Sequence, residues 1–186
     1  MGGEKRKITM LMTDLRGFTS LSERLPPERV VALLNRYLTT MVSVIKQYRG
    51  TIDEFIGDAI FVLFGAPIWQ EDDAQRAVAC AVAMQLAMTS VNEQNKQDGL
   101  PEIEMGIGVH TGQVVVGNIG SAERTKYGVV GSQVNLTLPH PVSHHRRADS
   151  DFRGLHGEKS ARPSSLASRW RSRPKGSNIP SLCLRS

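Results

Sequence analysis

Hydrophobic positions along the chain change period several times, and each change marks an element. Residues 8–13 (ITMLMT) form a short apolar run ending at Asp14, the pattern of a buried strand that delivers an acidic side chain to a sheet edge. A turn or short helix over 17–24 follows. Pro26 and Pro27 open a segment in which Val30, Leu34, Tyr37, Met41, Val44 and Tyr48 recur at three- and four-residue spacing, with Gly50 just beyond, and this predicts an amphipathic helix. Two strand-like runs, 51–56 and 59–64, are joined through Gly57 and Asp58 as a tight hairpin with Asp58 at its tip. Glu71, Asp72 and Asp73 put negative charge at the start of a second long helix, whose inward positions read as Ala74, Ala77, Val78, Ala81, Met84, Met88 and Val91. Asp98, Gly99 and Pro101 end it. Residues 104–110 and 113–119 then predict a second hairpin turning at Thr111 and Gly112, and 127–130 begins another strand. The order β, α, β, β, α, β, β predicts an α+β fold, a ferredoxin-like antiparallel sheet with helices on one face.

Composition changes this picture only at the C-terminal end. The formal net charge of +5 is unevenly spread. Residues 1–137 hold 13 Lys and Arg against 15 Asp and Glu, whereas residues 138–186 hold 10 against 3. The second part also has ten of the chain's Ser, five of its nine Pro and four of its five His, without helical or strand periodicity. It reads as a basic, disordered tail appended to one domain. A nucleic-acid or membrane-surface role for that tail is the alternative of a different class, but it has no periodic basic stripe and its aromatics are only Phe152 and Trp170. No apolar run of membrane-spanning length and no signal-peptide pattern is present, so a cytoplasmic location is expected. Cys80 and Cys183 form no disulfide framework or metal-ligand spacing, and Cys80 reads as a small core residue.

The candidate chemistry lies in Asp14 and Asp58. If the first strand and the first hairpin are antiparallel neighbours, both carboxylates come to one edge, where they suit Mg²⁺ or Mn²⁺, hard cations that take oxygen ligands and share them with substrate phosphates. The same two residues also fit ordinary turn or cap positions. The stretch 15–20 (LRGFTS) contains a glycine and begins a helix, and amides at a helix start suit a polyphosphate. His110 reads as structural, and Phe55, Phe61 and Phe64 as core.

Four ordered segments carry a resemblance: TDLRGFTSLSE (13–23), IDEFIGDAIFVLFG (52–65), EMGIGVHTGQVVVGNIGS (104–121) and RTKYGVVGSQVNLT (124–137). Together they resemble the signature blocks of class III adenylate/guanylate cyclase catalytic domains, in particular cyanobacterial cyclases including the guanylyl type, over about residues 7–137. The resemblance implies a homodimer with sites at the subunit interface, and conversion of GTP or ATP to the 3′,5′-cyclic nucleotide and pyrophosphate. It implies two metal ions on Asp14, Asp58 and the backbone carbonyl of Leu15. It further implies substrate contacts by Leu15, Arg16, Gly17, Phe18 and Thr19, ribose orientation by Asn135, and base recognition by Glu54 and Gly128. Guanine offers N1–H and N2–H donors to a carboxylate, so Glu54 favours GTP, while Gly128 supplies no adenine-specific contact. Diguanylate cyclases and polymerase palms also use paired carboxylates, but their GGDEF-type hairpin is absent.

The resemblance stops after VNLT. Where the family has its transition-state arginine, four residues beyond Asn135, this chain has Pro139. The abrupt change of composition reads as a reading-frame shift near codon 137, and resequencing the gene there tests it. The missing arginine leaves a silent nucleotide-binding or dimerisation module as the alternative to an active cyclase.

Overall fold

The computed structural model describes residues 3–139 and the backbone of residues 182–185. Its elements are β1 (Glu4–Leu15), α1 (Phe18–Ser22), α2 (Pro27–Gln47), β2 (Thr51–Ile56), β3 (Ala59–Phe64), α3 (Asp73–Gln97), β4 (Met105–Gly120), β5 (Thr125–Val130), a 3-10 turn (Ser132–Thr137) and β6 (Leu182–Arg185). Strands are ordered β2-β3-β1-β4-β5, all antiparallel, and β6 runs parallel to β4 beside residues 107–110. The expected α+β antiparallel architecture is present.

The period-two pattern of the strands divides the core. Leu11, Leu15, Ile60, Val62, Phe64, Ile107 and Val109 face α2 and α3, while Ile8, Met10, Met12, Phe61, Leu63, Val114 and Val116 gather on the other side with Tyr127, Val129 and Val134. On α2 the buried row is Leu33, Tyr37, Met41 and Ile45, so the expected inward positions Leu34 and Val44 lie on its flanks. An apolar stripe is wider than one row, and spacing alone does not say which row is central. Along α3 the small residues Ala77, Cys80 and Ala81 are buried with Met84, Met88 and Val91, whereas Ala74 is exposed. Cys80 is a core residue as expected, and burial pushes its thiol up to about 12. No described helix is long and apolar enough to cross a membrane.

Two expectations are corrected. Residues 104–110 and 113–119 form no hairpin, because β4 continues from Met105 to Gly120 and pairs with the whole of the long strand β1. Thr111 and Gly112 lie opposite Thr9 and Ile8, and the Thr9 and Thr111 hydroxyls bond at 2.8 Å. Gly112 answers a need for room, not a turn: a Cβ there would come 3.0 Å from the Gln133 side chain. The chain reverses at 121–124, where Ser121 N–H donates to the Arg124 carbonyl at 2.9 Å and Ser121 Oγ accepts from the Glu123 and Arg124 amides. Residues 125–130 form β5, the further strand whose start is expected at 127, and the two expected strands 104–110 and 113–119 are one. Phe61 and Phe64 are core, but Phe55 is 49% exposed, because it belongs to the outer half of edge strand β2. The expectations for 138–186 fall outside the described residues, apart from Leu138, Pro139 and the backbone of β6.

Candidate active site

β1 delivers Asp14 and Leu15 to the edge occupied by the β2–β3 hairpin. Gly57 takes φ 63° in the tight turn, a conformation open to glycine without steric cost, and Asp58 follows it directly. The Leu15 N–H donates to Asp58 Oδ2 at 2.8 Å, so the hairpin tip is tied to the end of β1. Partial burial, reinforced by the charge of Asp58, pushes the Asp14 carboxyl above its ordinary value, and Arg16 pulls it back. The donor set thus fits a divalent cation: the Asp58 charge adds to the cost of ionising Asp14, and a shared cation offsets that cost. Among the described residues no three His, Cys, Asp or Glu side chains converge on one point. A metal on Asp14 and Asp58 therefore needs further oxygens from backbone, water or a phosphate.

A polar thread beneath this edge holds it in register. Ile60, two residues past Asp58, donates its N–H to Thr13 Oγ1 at 3.0 Å; the Thr13 and Tyr37 hydroxyls bond at 2.8 Å; and the Tyr37 hydroxyl donates to Met105 Sδ at 3.4 Å. Burial pushes the Tyr37 hydroxyl far above the usual phenol range against the opposing effect of the Thr13 bond, and Asp58 and Asp14 add to the rise. The sequence pattern showed Tyr37 only as an apolar position. The signal for this thread was the threonine inside the apolar run just before Asp14.

The amides of the LRGFT turn are partly committed within the protein. Leu15 N–H serves Asp58 and Arg16 N–H donates to the Glu104 carbonyl at 2.8 Å. The amides of Gly17, Phe18 and Thr19 belong to the start of α1, where helical amides have no partner within the helix. Phe18 packs against the helix-side core, Leu15 is buried, and Thr19 is exposed.

Glu54 and Gly128 lie on β2 and β5, the two ends of the sheet path, yet the sheet curls enough to bring these two strands together at Asp53, Gly128 and Lys126. A Cβ on Gly128 would stand 3.3 Å from Asp53 Oδ1. Lys126, two residues away on β5, bridges the strands with Nζ 2.9 Å from Asp53 Oδ2 and 3.2 Å from Glu54 Oε2. Partial desolvation works against the Lys126 charge, but the hydrogen bonds and charges of Asp53 and Glu54 outweigh it and raise the ammonium above its ordinary value. The Asp53 side chain is only 6% exposed. Sequence reasoning missed Lys126 and Asp53, because residues 73 apart in the chain meet only through curvature of the sheet.

Asn135 is exposed on the 3-10 turn, and Pro139 follows it with its Cβ 3.4 Å from where a Gly106 Cβ would be. His110 is buried on β4, with Nε2 2.7 Å from Gln133 Oε1.

The family described as the adenylate and guanylate cyclase catalytic domain matches residues 3–139. The guanylyl cyclase Cya2 is similar at 65% identity and TM-score 0.72, covering 74% of this chain and 70% of that one. The adenylyl cyclase CyaB from P. aeruginosa is similar at 38% identity and TM-score 0.71, covering 74% and 71%. Adenylate cyclase 1 of Rhizobium meliloti (strain 1021) is 36% identical over 132 residues, which are 71% of this chain and 20% of that protein. The chain thus spans about a fifth of the length of that relative.

Proposed function

We propose, from the premise that the chain belongs to the adenylate and guanylate cyclase catalytic domain family, that it forms a cyclic nucleotide from GTP, with ATP as the alternative substrate. The observation that carries this reading is the convergence of Asp14 and Asp58, tied by the Leu15–Asp58 hydrogen bond, with Asp14 raised by its acidic neighbour. In the reaction the ribose 3′-hydroxyl gives its proton to water as its oxygen attacks the α-phosphorus, the P–O bond to the β-phosphate breaks, and pyrophosphate leaves. Asp14, Asp58 and the Leu15 carbonyl would hold the metal. Two Mg²⁺ or Mn²⁺ ions bound there supply Lewis-acid activation of the attacking hydroxyl and neutralisation of the leaving phosphate. Amides of Gly17, Phe18 and Thr19, with Arg16 beside them, receive the phosphates, and Asn135 orients the ribose.

Base choice follows from charge. Lys126 Nζ lies 3.2 Å from Glu54 Oε2, and a carboxylate paired with an ammonium only accepts hydrogen bonds. That state matches the N1–H and N2–H of guanine and faces the N1 lone pair of adenine unfavourably. The acidic edge and the Glu54, Gly128 and Asn135 group would face each other across a homodimer interface, each site drawing on both copies. Second-messenger signalling in the cytoplasm is the setting that this chemistry suits.

A silent nucleotide-binding or dimerisation module is the second reading, and Pro139 favours it. Proline offers neither a charge nor a hydrogen-bond donor to a transition state that other phosphoryl-transfer sites stabilise with arginine. Purified protein incubated with GTP or ATP and with Mn²⁺ or Mg²⁺, beside an Asp58→Ala control, decides. Cyclic GMP lost in the control supports the first reading. Cyclic AMP alone refutes the base assignment, and no product from either nucleotide selects the silent module.

A further inference from the structure

Along one face of β4 the alternate positions 106, 108, 110 and 112 are Gly, Gly, His and Gly, and Gly108 and Gly112 have a common cause. The segment from Gly131 to Pro139 lies directly on this row. A Cβ on Gly108 would stand 2.1 Å from the Thr137 carbonyl oxygen and one on Gly112 would meet the Gln133 side chain at 3.0 Å, while one on Gly106 would meet the Arg16 guanidinium at 3.3 Å and Pro139 at the ordinary contact distance of 3.4 Å. Close approach of backbone to backbone leaves no room for a side chain at Gly108.

His110 is the one side chain in that row and is 7% exposed. Its Nε2 lies 2.7 Å from Gln133 Oε1, which only accepts, so Nε2 carries the proton and donates. Nδ1 is buried with no hydrogen-bond partner among the described residues. Among the described residues the histidine therefore has a single side-chain polar contact, and that contact grips the 3-10 turn two residues before Asn135.

We propose that His110 is a positioning residue. Through Gln133 it clamps the 131–137 segment into the glycine trough of β4 and so fixes the backbone that presents Asn135. The functional half of this inference rests on Asn135 orienting the ribose; the clamp itself does not. Nothing about His110 touches substrate. Its effect is transmitted through one hydrogen bond and the chain between Gln133 and Asn135.

Amide hydrogen exchange on the full chain tests the clamp without requiring activity. His110→Phe removes the donor and keeps a planar ring, while Gln133→Leu removes the acceptor from the other side. Each is expected to speed exchange over residues 131–137, including the Val134 amide that bonds the Gly131 carbonyl at 3.2 Å, by about 5- to 10-fold, the scale of one lost hydrogen bond. β1 and β3 should remain unchanged. The double variant should add nothing to either single one, and Gln133→Glu, which still accepts from Nε2, should exchange like the unaltered protein. Unchanged exchange in both single variants, or additive effects in the double, overturns the clamp. Equilibrium dialysis of GTP with Mn²⁺ then tests its purpose. Asn135→Ala, His110→Phe and Gln133→Leu are expected to weaken GTP binding together, with Gln133→Glu restoring it. If Asn135→Ala leaves binding untouched while the exchange results hold, the ribose reading is overturned and the clamp stands as a purely structural one. If Asn135→Ala weakens binding but Gln133→Leu does not, the positioning role is overturned.

Discussion

Replacing Thr13 by valine is the sharpest probe of how the acidic edge is built. Thr13 is buried, and its hydroxyl is the middle of a thread from Ile60 N–H through Tyr37 to Met105. Valine keeps the branched shape that a strand favours and removes only the polar atom. Two groups then lose a partner at once: the buried Ile60 amide, and the Tyr37 hydroxyl, which retains only the sulfur. An orphaned buried donor costs about 1–3 kcal/mol. Tyr37→Phe, by contrast, leaves the Ile60–Thr13 bond intact and strands only the Thr13 hydroxyl, at about 1 kcal/mol. The double variant leaves the Ile60 amide as the lone orphan and should cost less than the sum of the two single changes. Urea denaturation with a common slope measures all three. If Tyr37→Phe proves as costly as Thr13→Val, or if the two effects add, the thread is not the element that joins β1, β3 and α2 beneath Asp14.

Asp14 gives a pH test with a defined sign. Its carboxyl is raised in the folded protein, so its contribution to stability is full below the ordinary carboxylate value and is lost as pH rises through the folded one. Asp14→Asn should therefore melt higher than the unaltered protein near neutral pH in the presence of a chelator, with the gap closing in acid; a gap that widens in acid refutes the assignment. Lys126→Met leaves the nearly buried Asp53 carboxylate without its ammonium and Glu54 without its orienting charge. The preference for GTP over ATP in equilibrium dialysis should fall about tenfold, a change of the size of one charge-assisted hydrogen bond. Cys80, buried and with its thiol raised to about 12, should resist alkylation in native buffer and react on denaturation. Met84→Ala, made in the centre of the helix-side core, should cost about 2–5 kcal/mol in the same urea assay.

Much of this architecture was legible before any coordinates. Local periodicity placed α2 and α3, because a helix writes its buried face at three- and four-residue intervals, and the Gly57–Asp58 turn announced the hairpin that carries one carboxylate. The failure at residues 104–119 has a specific cause. Glycine in an apolar, β-permissive run signals either a turn or close approach of another segment. Spacing alone suits the first at Gly112, whereas the structure has the second, a distinction that lies 21 residues away at Gln133.

The sequence by itself determined what is local: which segments are helix and strand, that Asp14 ends one strand and Asp58 heads the next, and, through four ordered motifs, the family. Those properties depend on backbone propensity, on hydrophobic spacing and on residue identity, all of which are written within a few positions. Tertiary structure alone decided which side chains meet. Curvature of the sheet brings Lys126 of one edge strand to Asp53 and Glu54 of the other. Antiparallel pairing of β1 with β3 places Thr13 over Ile60, and the return of 131–139 across β4 joins His110 to Gln133. Each of these contacts joins residues 23 to 73 positions apart. Their physical basis is the burial of two faces of one sheet, a property of the assembled core and of no segment within it.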